Sequence, residues 1–170
     1  MSTVVDQHRA QSPRSVRVAV LTVSDTRTEA TDASGDLIAA TCEREGHSII
    51  DRQIVADDFE RLQSWVKGCR ERGDVDAAII TGGTGISPRD QTVEAVDPLF
   101  TKTIPGFGEL FRMLSYAEIG SACLMSRASA GLVDRLVVFV LPGSRAGVEL
   151  AMSKIILPEL PHLVQQASKV

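Results

Sequence analysis

Cysteine and aromatic residues are scarce in this chain of 170 residues, which has three cysteines and 4% aromatic residues. Cys42, Cys69 and Cys123 stand too far apart in the sequence to form the close pairs that metal sites use. An odd number of widely spaced thiols is typical of reduced cysteines in the cytosol. No histidine stands near Cys123 in the sequence, so a catalytic thiol is not favoured.

Long apolar runs and an excess of positive charge are also missing. No run approaches the roughly 18 residues that a membrane-spanning helix needs. Residues 1–15 are polar, without the apolar stretch of a secretory signal, and we interpret them as a flexible arm. A formal charge of -4 provides no electrostatic attraction for nucleic acid or an anionic membrane. We therefore expect a soluble, cytoplasmic protein with neither nucleic acid nor a membrane among its partners.

The residues that are present suit one domain with a full hydrophobic core, since 44% are apolar and 24% are charged. Apolar and β-branched runs predict strands at 16–23, 47–55, 75–81 and 135–141. Helical spacing predicts helices at 32–46, 59–72, 92–96, 107–114 and 148–156, with Pro158 ending the last, and a short turn or helix at 160–168. This alternation indicates a single α/β domain at 16–168, whose mostly parallel sheet carries helices on both faces.

Polar and glycine-rich segments follow the predicted strands. Ligands of open parallel sheets bind outside the carboxyl ends of the strands, so we expect these segments to share one cleft. They are Ser24-Asp25, Asp57-Asp58, the glycine loop Thr81-Gly82-Gly83-Thr84-Gly85 with Arg89-Asp90 after it, and Pro142-Gly143-Ser144.

The glycine loop at 81–85 has a composition suited to binding phosphate. Its three glycines let the backbone adopt positive φ angles and approach a ligand closely, so that successive N–H groups can point at phosphate oxygens. The loop is neither a Walker A motif nor the GxGxxG dinucleotide motif. A tight connection without a ligand is the alternative. The loop's position after a buried strand, with Arg89-Asp90 following, favours a site for a phosphate-bearing ligand.

Asp57, Asp58 and Asp90 would repel a bound polyphosphate unless a cation lies between them. Mg²⁺ could bridge carboxylates and phosphate oxygens. The alternative is that these residues cap the helices that follow, Asp57 or Asp58 at the helix from residue 59 and Asp90 at the helix from Thr92. The two roles do not exclude each other.

Seven stretches of the chain together resemble the MoaB/MogA family of molybdenum cofactor biosynthesis proteins, related to the pterin-binding domain of gephyrin. The resemblance covers nearly all of 16–161, and the segment FGELFRMLSYAEIG is similar to the MoaB branch. One departure is Ala56-Asp57, where active members often carry a proline before the aspartate. The stretches are LTVSD (21–25), SG (34–35), IVADD (54–58), ITGGTGISPRDQT (80–92), IPGFGELFRMLS (104–115), SRASAG (126–131) and LPGS (141–144).

The resemblance implies a three-layer α/β/α sandwich that adenylylates molybdopterin with ATP and Mg²⁺. It implies catalytic and metal-binding roles for Asp57 and Asp90, and a trimer that can pair into a hexamer. Other proteins of the pathway are further possible partners. A molybdopterin scaffold or carrier without catalysis is the alternative, and it would not need both aspartates. The expected substrate-binding residues are Ser24, Thr81, Gly82, Gly83, Thr84, Gly85, Glu109, Arg127, Pro142, Gly143 and Ser144.

Overall fold

The computed structural model of the protein describes residues 12–169. Within them, one sheet contains the strands β1 (Arg17–Val23), β2 (Ser48–Val55), β3 (Ala77–Thr81), β4 (Lys102–Thr103), β5 (Ser129–Val133) and β6 (Leu136–Leu141). The α-helices are α1 (Ala33–Arg44), α2 (Phe59–Arg72), α3 (Thr92–Val96), α4 (Pro105–Ile119), α5 (Arg145–Ala151) and α6 (Leu157–Ser168). Of the arm expected at 1–15, residues 1–11 lie outside the described residues.

The strand order is β2-β1-β3-β6-β5-β4, and the first four of these strands run parallel. Thr81 of β3 lies between Thr22 of β1 and Leu141 of β6, and Val23 pairs with Val55 of β2. This register brings the carboxyl ends of the four parallel strands level at one edge of the sheet. The prediction of a mostly parallel α/β sheet is confirmed, and its site-bearing segments leave from this common edge.

Helices cover both faces of the sheet and make three layers. Side chains of β1 alternate, so that Val18 and Val20 pack with α1, α4, α5 and α6, while Ala19 and Leu21 pack with α2 and α3. All four of these β1 side chains are completely buried. The three-layer α/β/α arrangement expected from the resemblance is therefore present.

The antiparallel part of the sheet was missed from the sequence. β5 and β6 form a hairpin, and β4 adds two residues to its edge. Asp134, in the hairpin turn, has a φ of 56°, which aspartate tolerates better than most residues. The ring of Phe100 covers Gly131 so closely that a Cβ there would lie 2.4 Å from a ring carbon. The sequence of β5, SAGLV, contains small residues with low β propensity, so it did not predict a strand. The strand forms because Phe100 packs on Gly131.

The prediction that a helix ends at Pro158 is wrong. The chain continues from α5 through a π-helical segment, Met152–Ile156, into α6, where Pro158 lies in the first turn. Proline has no N–H to donate in the i→i−4 pattern of an α-helix. The π-helical turn before Pro158 uses i→i−5 hydrogen bonds, and Pro158 stands in the first turn of α6, so the chain stays helical through it. Among residues 12–169, no helix combines the length and apolar character needed to cross a membrane.

Candidate functional site

A polar cleft of about 410 Å³ opens at the carboxyl ends of β1, β3 and β6. It brings together several sequence-predicted residues, namely Ser24, the whole glycine loop Thr81 to Gly85, Asp90 and Gly143. Thr81 is buried, and its hydroxyl donates to the carbonyl oxygen of Pro142 at 2.9 Å. Gly82 N–H donates to Leu141 O at 3.1 Å, so the loop after β3 is tied directly to the loop after β6.

Glycine is required where the chain turns out of β3. Gly82 and Gly83 have φ angles of 103° and 62°, in the region that side chains disfavour. A Cβ at Gly82 would lie 2.2 Å from the carbonyl oxygen of Val23. The loop therefore passes against β1 at a distance that excludes a side chain.

The glycine loop presents a run of unpaired backbone donors. Among the residues that the structure describes, no acceptor receives the N–H groups of Gly83, Thr84, Gly85 or Ile86. Four successive free amides beside a polar cleft are a favourable arrangement for an anion, because each can donate to an oxygen of the ligand. This observation supports the phosphate site predicted from the glycines.

Asp57 lies against Gly83, at the side of the cleft. Its carboxylate accepts the N–H of Gln91, at 3.2 and 3.4 Å to its two oxygens. Burial raises the pKa of Asp57, and the negative charges of Asp90, Asp25 and Glu94 raise it further against the effect of the Gln91 hydrogen bond. A cation beside Asp57 would relieve this repulsion.

Thr92 lies beside the same carboxylate. A Cβ at Gly83 would meet Thr92 Oγ1 at 2.2 Å and Asp57 Oδ2 at 2.5 Å, so both oxygens face the same side of this glycine. Thr92 is completely buried, and its hydroxyl has no partner among the described residues.

Of the helix caps that the sequence suggested, Asp58 caps a helix and Asp90 does not. Asp90 does not cap α3, because the N-cap position belongs to Gln91 and has no side-chain hydrogen bond. Its carboxylate accepts Ser87 N–H at 3.0 Å and lies over Gly85. Asp58 caps α2 by accepting Arg61 N–H at 2.9 Å. Asp58 therefore stabilises the start of α2, whereas the neighbouring Asp57 contacts the glycine loop.

Asp57 and Asp90 are the carboxylates of the site that could hold a metal ion together with a bound ligand. Residues 12–169 contain no group of three or more histidine, cysteine, aspartate or glutamate side chains able to hold a metal ion. Asp57 and Asp90 offer two carboxylates close enough to interact electrostatically. Mg²⁺ is usually held by one or two carboxylates together with waters and substrate phosphates, which matches this limited donor set.

Known proteins resemble the chain along most of its length. A family model described as a probable molybdopterin binding domain matches residues 19–162. Molybdenum cofactor biosynthesis protein B of Bacillus subtilis is 51% identical over 167 residues, which are 97% of this chain and 98% of the relative. The chain belongs to the MoaB/MogA family. The protein of the same name from Halalkalibacterium halodurans is 48% identical over 166 residues, 97% of this chain and 98% of that relative.

Solved structures of the MoaB/MogA family share the fold. A crystal structure of molybdenum cofactor biosynthesis protein B has a TM-score of 0.89 at 49% identity, covering 92% of this chain and 98% of that one. The tungsten cofactor synthesizing protein MoaB from Pyrococcus furiosus has a TM-score of 0.83 at 36% identity, covering 93% and 100%. The family resemblance predicted from the motifs is confirmed.

Four of the expected substrate-binding residues do not line the polar cleft, namely Glu109, Arg127, Pro142 and Ser144, and neither does Asp57, which contacts Gly83 from beside it. Ser144 caps α5 by accepting Gly147 N–H at 3.2 Å. With Pro142 it lines an adjacent, more apolar cavity of about 330 Å³ beside α4, which shares Thr84, Gly85 and Gly143 with the polar cleft. Glu109 lies in another depression, between α4 and β5. Arg127 contacts the backbone carbonyls of the glycine loop. Their roles in binding substrate stay predictions.

Asp32 lines the cleft but was not predicted as a site residue from the sequence. It caps α1, accepting Gly35 N–H at 2.9 Å, and it also accepts from Thr22 Oγ1 at 2.8 Å and Arg52 Nη2 at 2.9 Å. Burial alone would raise the pKa of Asp32, but these hydrogen bonds outweigh burial and lower it. Asp32 therefore stays ionised in the cleft wall.

Arg27 is the one lysine or arginine lining the cleft within the part of the chain that the structure describes. Its guanidinium donates to Thr31 O at 2.7 Å, and the side chain also borders a neighbouring groove along β2. Arg27 lies in a loop, where no helix or strand periodicity predicts which way a side chain points, so the sequence did not mark it as a site residue. The other cleft residues missed from the sequence are Thr22, Val23, Thr26 and Ser34.

Proposed function

We propose that this protein acts in molybdenum cofactor biosynthesis by transferring AMP from ATP to the terminal phosphate of molybdopterin, with release of pyrophosphate. The observation that carries this proposal is the run of free amides from Gly83 to Ile86, placed between the carboxylates of Asp57 and Asp90. Amides alone suit any anion, whereas amides with paired carboxylates suit a polyphosphate accompanied by a divalent cation. Membership of the MoaB/MogA family supports molybdopterin as the second substrate.

The proposed reaction asks the protein for positioning and charge stabilisation. An oxygen of the molybdopterin phosphate attacks the α-phosphorus of ATP, and the bond from that phosphorus to the bridging oxygen breaks to release pyrophosphate. No general base is needed, because the attacking phosphate oxygen is already ionised near neutral pH. The amides of the glycine loop hold phosphate oxygens, and Arg27 adds a positive charge to the same cleft.

Asp57 and Asp90 would hold Mg²⁺. The ion would supply charge neutralisation for the leaving pyrophosphate. The raised pKa of Asp57 is consistent with a carboxylate placed for a cation, because burial and the nearby charges of Asp90, Asp25 and Glu94 all disfavour its ionised form.

A non-catalytic molybdopterin carrier is the second candidate. The observation that favours it is that both carboxylates already have backbone partners, Gln91 N–H for Asp57 and Ser87 N–H for Asp90. The two aspartates could then serve only to shape the loop. A carrier would bind the pterin and release no pyrophosphate from ATP.

A pyrophosphate-release assay with molybdopterin, ATP and Mg²⁺ separates the two candidates. Asp57→Asn and Asp90→Asn keep an oxygen for the backbone N–H but remove the charge, so each should lower the rate about a hundredfold or more if catalysis is correct. Asp58→Asn is the matched control, because asparagine caps a helix as well as aspartate does. Wild-type protein that binds molybdopterin but releases no pyrophosphate, or charge variants as fast as wild type, would leave only the carrier.

The protein is further proposed to assemble into trimers, alone or paired into hexamers, in the cytoplasm. Large apolar side chains recur on the outer face of α4 and continue into the turn after it. They are Leu110, Met113, Tyr116, Ile119, Leu124 and Met125, and exposed apolar side chains grouped along one segment are typical of subunit contacts. The cytoplasmic location is supported by the three free cysteines, Cys42, Cys69 and Cys123.

A further inference from the structure

Arg127 is hydrogen-bonded to backbone carbonyl groups of the glycine loop. Its Nε donates to Thr84 O at 3.0 Å, and its Nη2 donates to Gly85 O at 2.6 Å and to Asp90 O at 3.5 Å. The other side of the guanidinium pairs with both carboxylate oxygens of Glu94 on α3. The side chain is 28% exposed and does not line the polar cleft.

The geometry of the peptide group links these contacts to the free amides. In a trans peptide, the N–H points opposite to the C=O of the preceding residue. The carbonyls of Thr84 and Gly85 point at Arg127, so the N–H groups of Gly85 and Ile86 must point away from it. Both amides lack an acceptor among the described residues. Gly85 lines the cleft, whereas the exposed Ile86 follows it along the chain and does not line the cleft.

Glu94 fixes the guanidinium in this orientation. Its pKa is lowered, first by the hydrogen bond from Arg127 and further by the charge of that arginine. The planar guanidinium can bind a carboxylate and two carbonyls at once, which a lysine ammonium on a flexible stem cannot reproduce in the same geometry. Arg127 thereby joins α3, the glycine loop and the segment before β5.

We propose that Arg127 is a positioning residue that fixes the orientation of the free amides of Gly85, in the cleft, and of Ile86, next to it, so that they bind a diphosphate group. The arginine acts from behind the loop and does not touch the ligand. This role differs from the direct substrate contact expected from the family motif. The inference depends on the proposed function in one respect only, namely that the diphosphate group belongs to ATP or to the released pyrophosphate.

The test is titration of the full chain with pyrophosphate at one saturating Mg²⁺ concentration, the same for every variant, because the carboxylates at the site would repel the anion without a cation. Calorimetry gives the affinity, and amide ¹H–¹⁵N spectra report on Gly85 and Ile86 directly. We compare wild type with Arg127→Met and Arg127→Lys. Arg70→Met is the matched control, because Arg70 forms a similar carboxylate pair with Asp134, away from the cleft.

We expect wild type to bind pyrophosphate with a downfield shift of the Gly85 and Ile86 amide protons. Arg127→Met should bind at least tenfold more weakly and lose both shifts. Arg127→Lys should be intermediate, and Arg70→Met should match wild type. A purely structural role would lower thermal stability in both methionine variants without a selective loss of pyrophosphate affinity.

Several results would overturn the inference. They are wild type without pyrophosphate binding, Arg127→Met with unchanged affinity or unchanged amide shifts, and Arg127→Lys with full wild-type affinity. If Arg127→Met does not fold, Glu94→Gln decides, since a severalfold weaker affinity is expected and an unchanged affinity contradicts the role. These measurements need neither molybdopterin nor turnover. A protein that binds pyrophosphate in this way but transfers no AMP refutes only the proposed function.

Discussion

At the scale of single residues, the fold places the carboxylate of Asp57 in a partly buried position near other carboxylates. Asp57 and Asp58 follow the same strand, yet Asp58 stabilises a helix whereas Asp57 is turned toward Gly83 and other carboxylates. A capping aspartate contributes to stability, but a partly buried carboxylate among like charges costs stability until a cation joins it. The local sequence is equally suited to either arrangement, so only the tertiary contacts distinguish the two residues.

Asp57→Asn is expected to raise the free energy of unfolding at pH 7 while removing activity. Burial raises the pKa of Asp57 above its ordinary value of 3.8. The folded state therefore binds this proton more tightly than the unfolded state, and wild type loses stability as pH rises through the folded pKa. Denaturant unfolding without Mg²⁺ should show the variant to be more stable at pH 7 and the difference to shrink below pH 4. A variant less stable than wild type at pH 7 would contradict this reading of Asp57.

At the scale of elements, the starts of β1 and β2 are joined by a buried histidine. His47 is 6% exposed, and its Nδ1 accepts the N–H of Val16 at 3.4 Å, beside the bond from Ser48 N–H to Val16 O. Burial lowers the pKa of His47 below its ordinary value of 6.5, although Glu45 opposes the shift. The edge of the sheet opposite the cleft thus depends on a neutral imidazole.

The free energy of unfolding is expected to fall as pH drops below 6.5. The unfolded chain takes up the His47 proton at about that pH, and the folded state takes it up only at lower pH, so this contribution is complete above 6.5 and is lost below it. His47→Gln retains an acceptor for Val16 N–H but does not titrate. Its pH profile, measured by denaturant unfolding, should be flatter than that of wild type, and parallel profiles would refute the assignment.

The main elements could be predicted because each has a local cause. β1, β3 and β6 are almost wholly buried apolar runs, and α2 starts at the Asp58 cap and ends at Gly73, with a φ of 67°. β4, β5 and the continuation through Pro158 could not be predicted in this way. They depend on the Phe100 ring over Gly131 and on a π-helical segment, which arise only when distant parts of the chain pack.

The site residues divide in the same way, into those that the local sequence predicts and those that depend on contacts with distant parts of the chain. The glycine loop and Asp57 follow strand ends, where topology brings them to one edge, and Asp90 follows the glycine loop along the chain. Asp32 and Arg127 depend on partners far along the chain, Arg52 for the first and the glycine-loop carbonyls for the second. No spacing rule relates such residues, so their contribution became visible only in the folded structure.

At the scale of the whole molecule, α4 presents more apolar surface than a monomer needs. Met113 and Tyr116 are 64% and 63% exposed, opposite the buried Phe107 and Phe111 of the same helix. The outer face of α4 is therefore the expected contact between subunits.

Met113→Lys combined with Tyr116→Lys should convert the assembly into monomers of 18.3 kDa. Introducing two charges into a subunit contact removes apolar burial and requires lysines to be desolvated. Light scattering at micromolar concentration measures the mass, and Phe59→Lys, on the opposite helical layer, is the control that should stay oligomeric. A wild-type protein that is monomeric under these conditions would exclude the trimer.

The most direct measurement of the central claim is the fate of the phosphorus atoms of ATP. Wild-type protein is incubated with molybdopterin and Mg²⁺, in parallel with ATP labelled at the α-phosphorus and at the γ-phosphorus, and the pterin product is separated. AMP transfer predicts that the α label joins the pterin and the γ label leaves in pyrophosphate, at equal rates. Transfer of the γ label, formation of ADP, or an unlabelled pterin that is nevertheless bound would contradict the account.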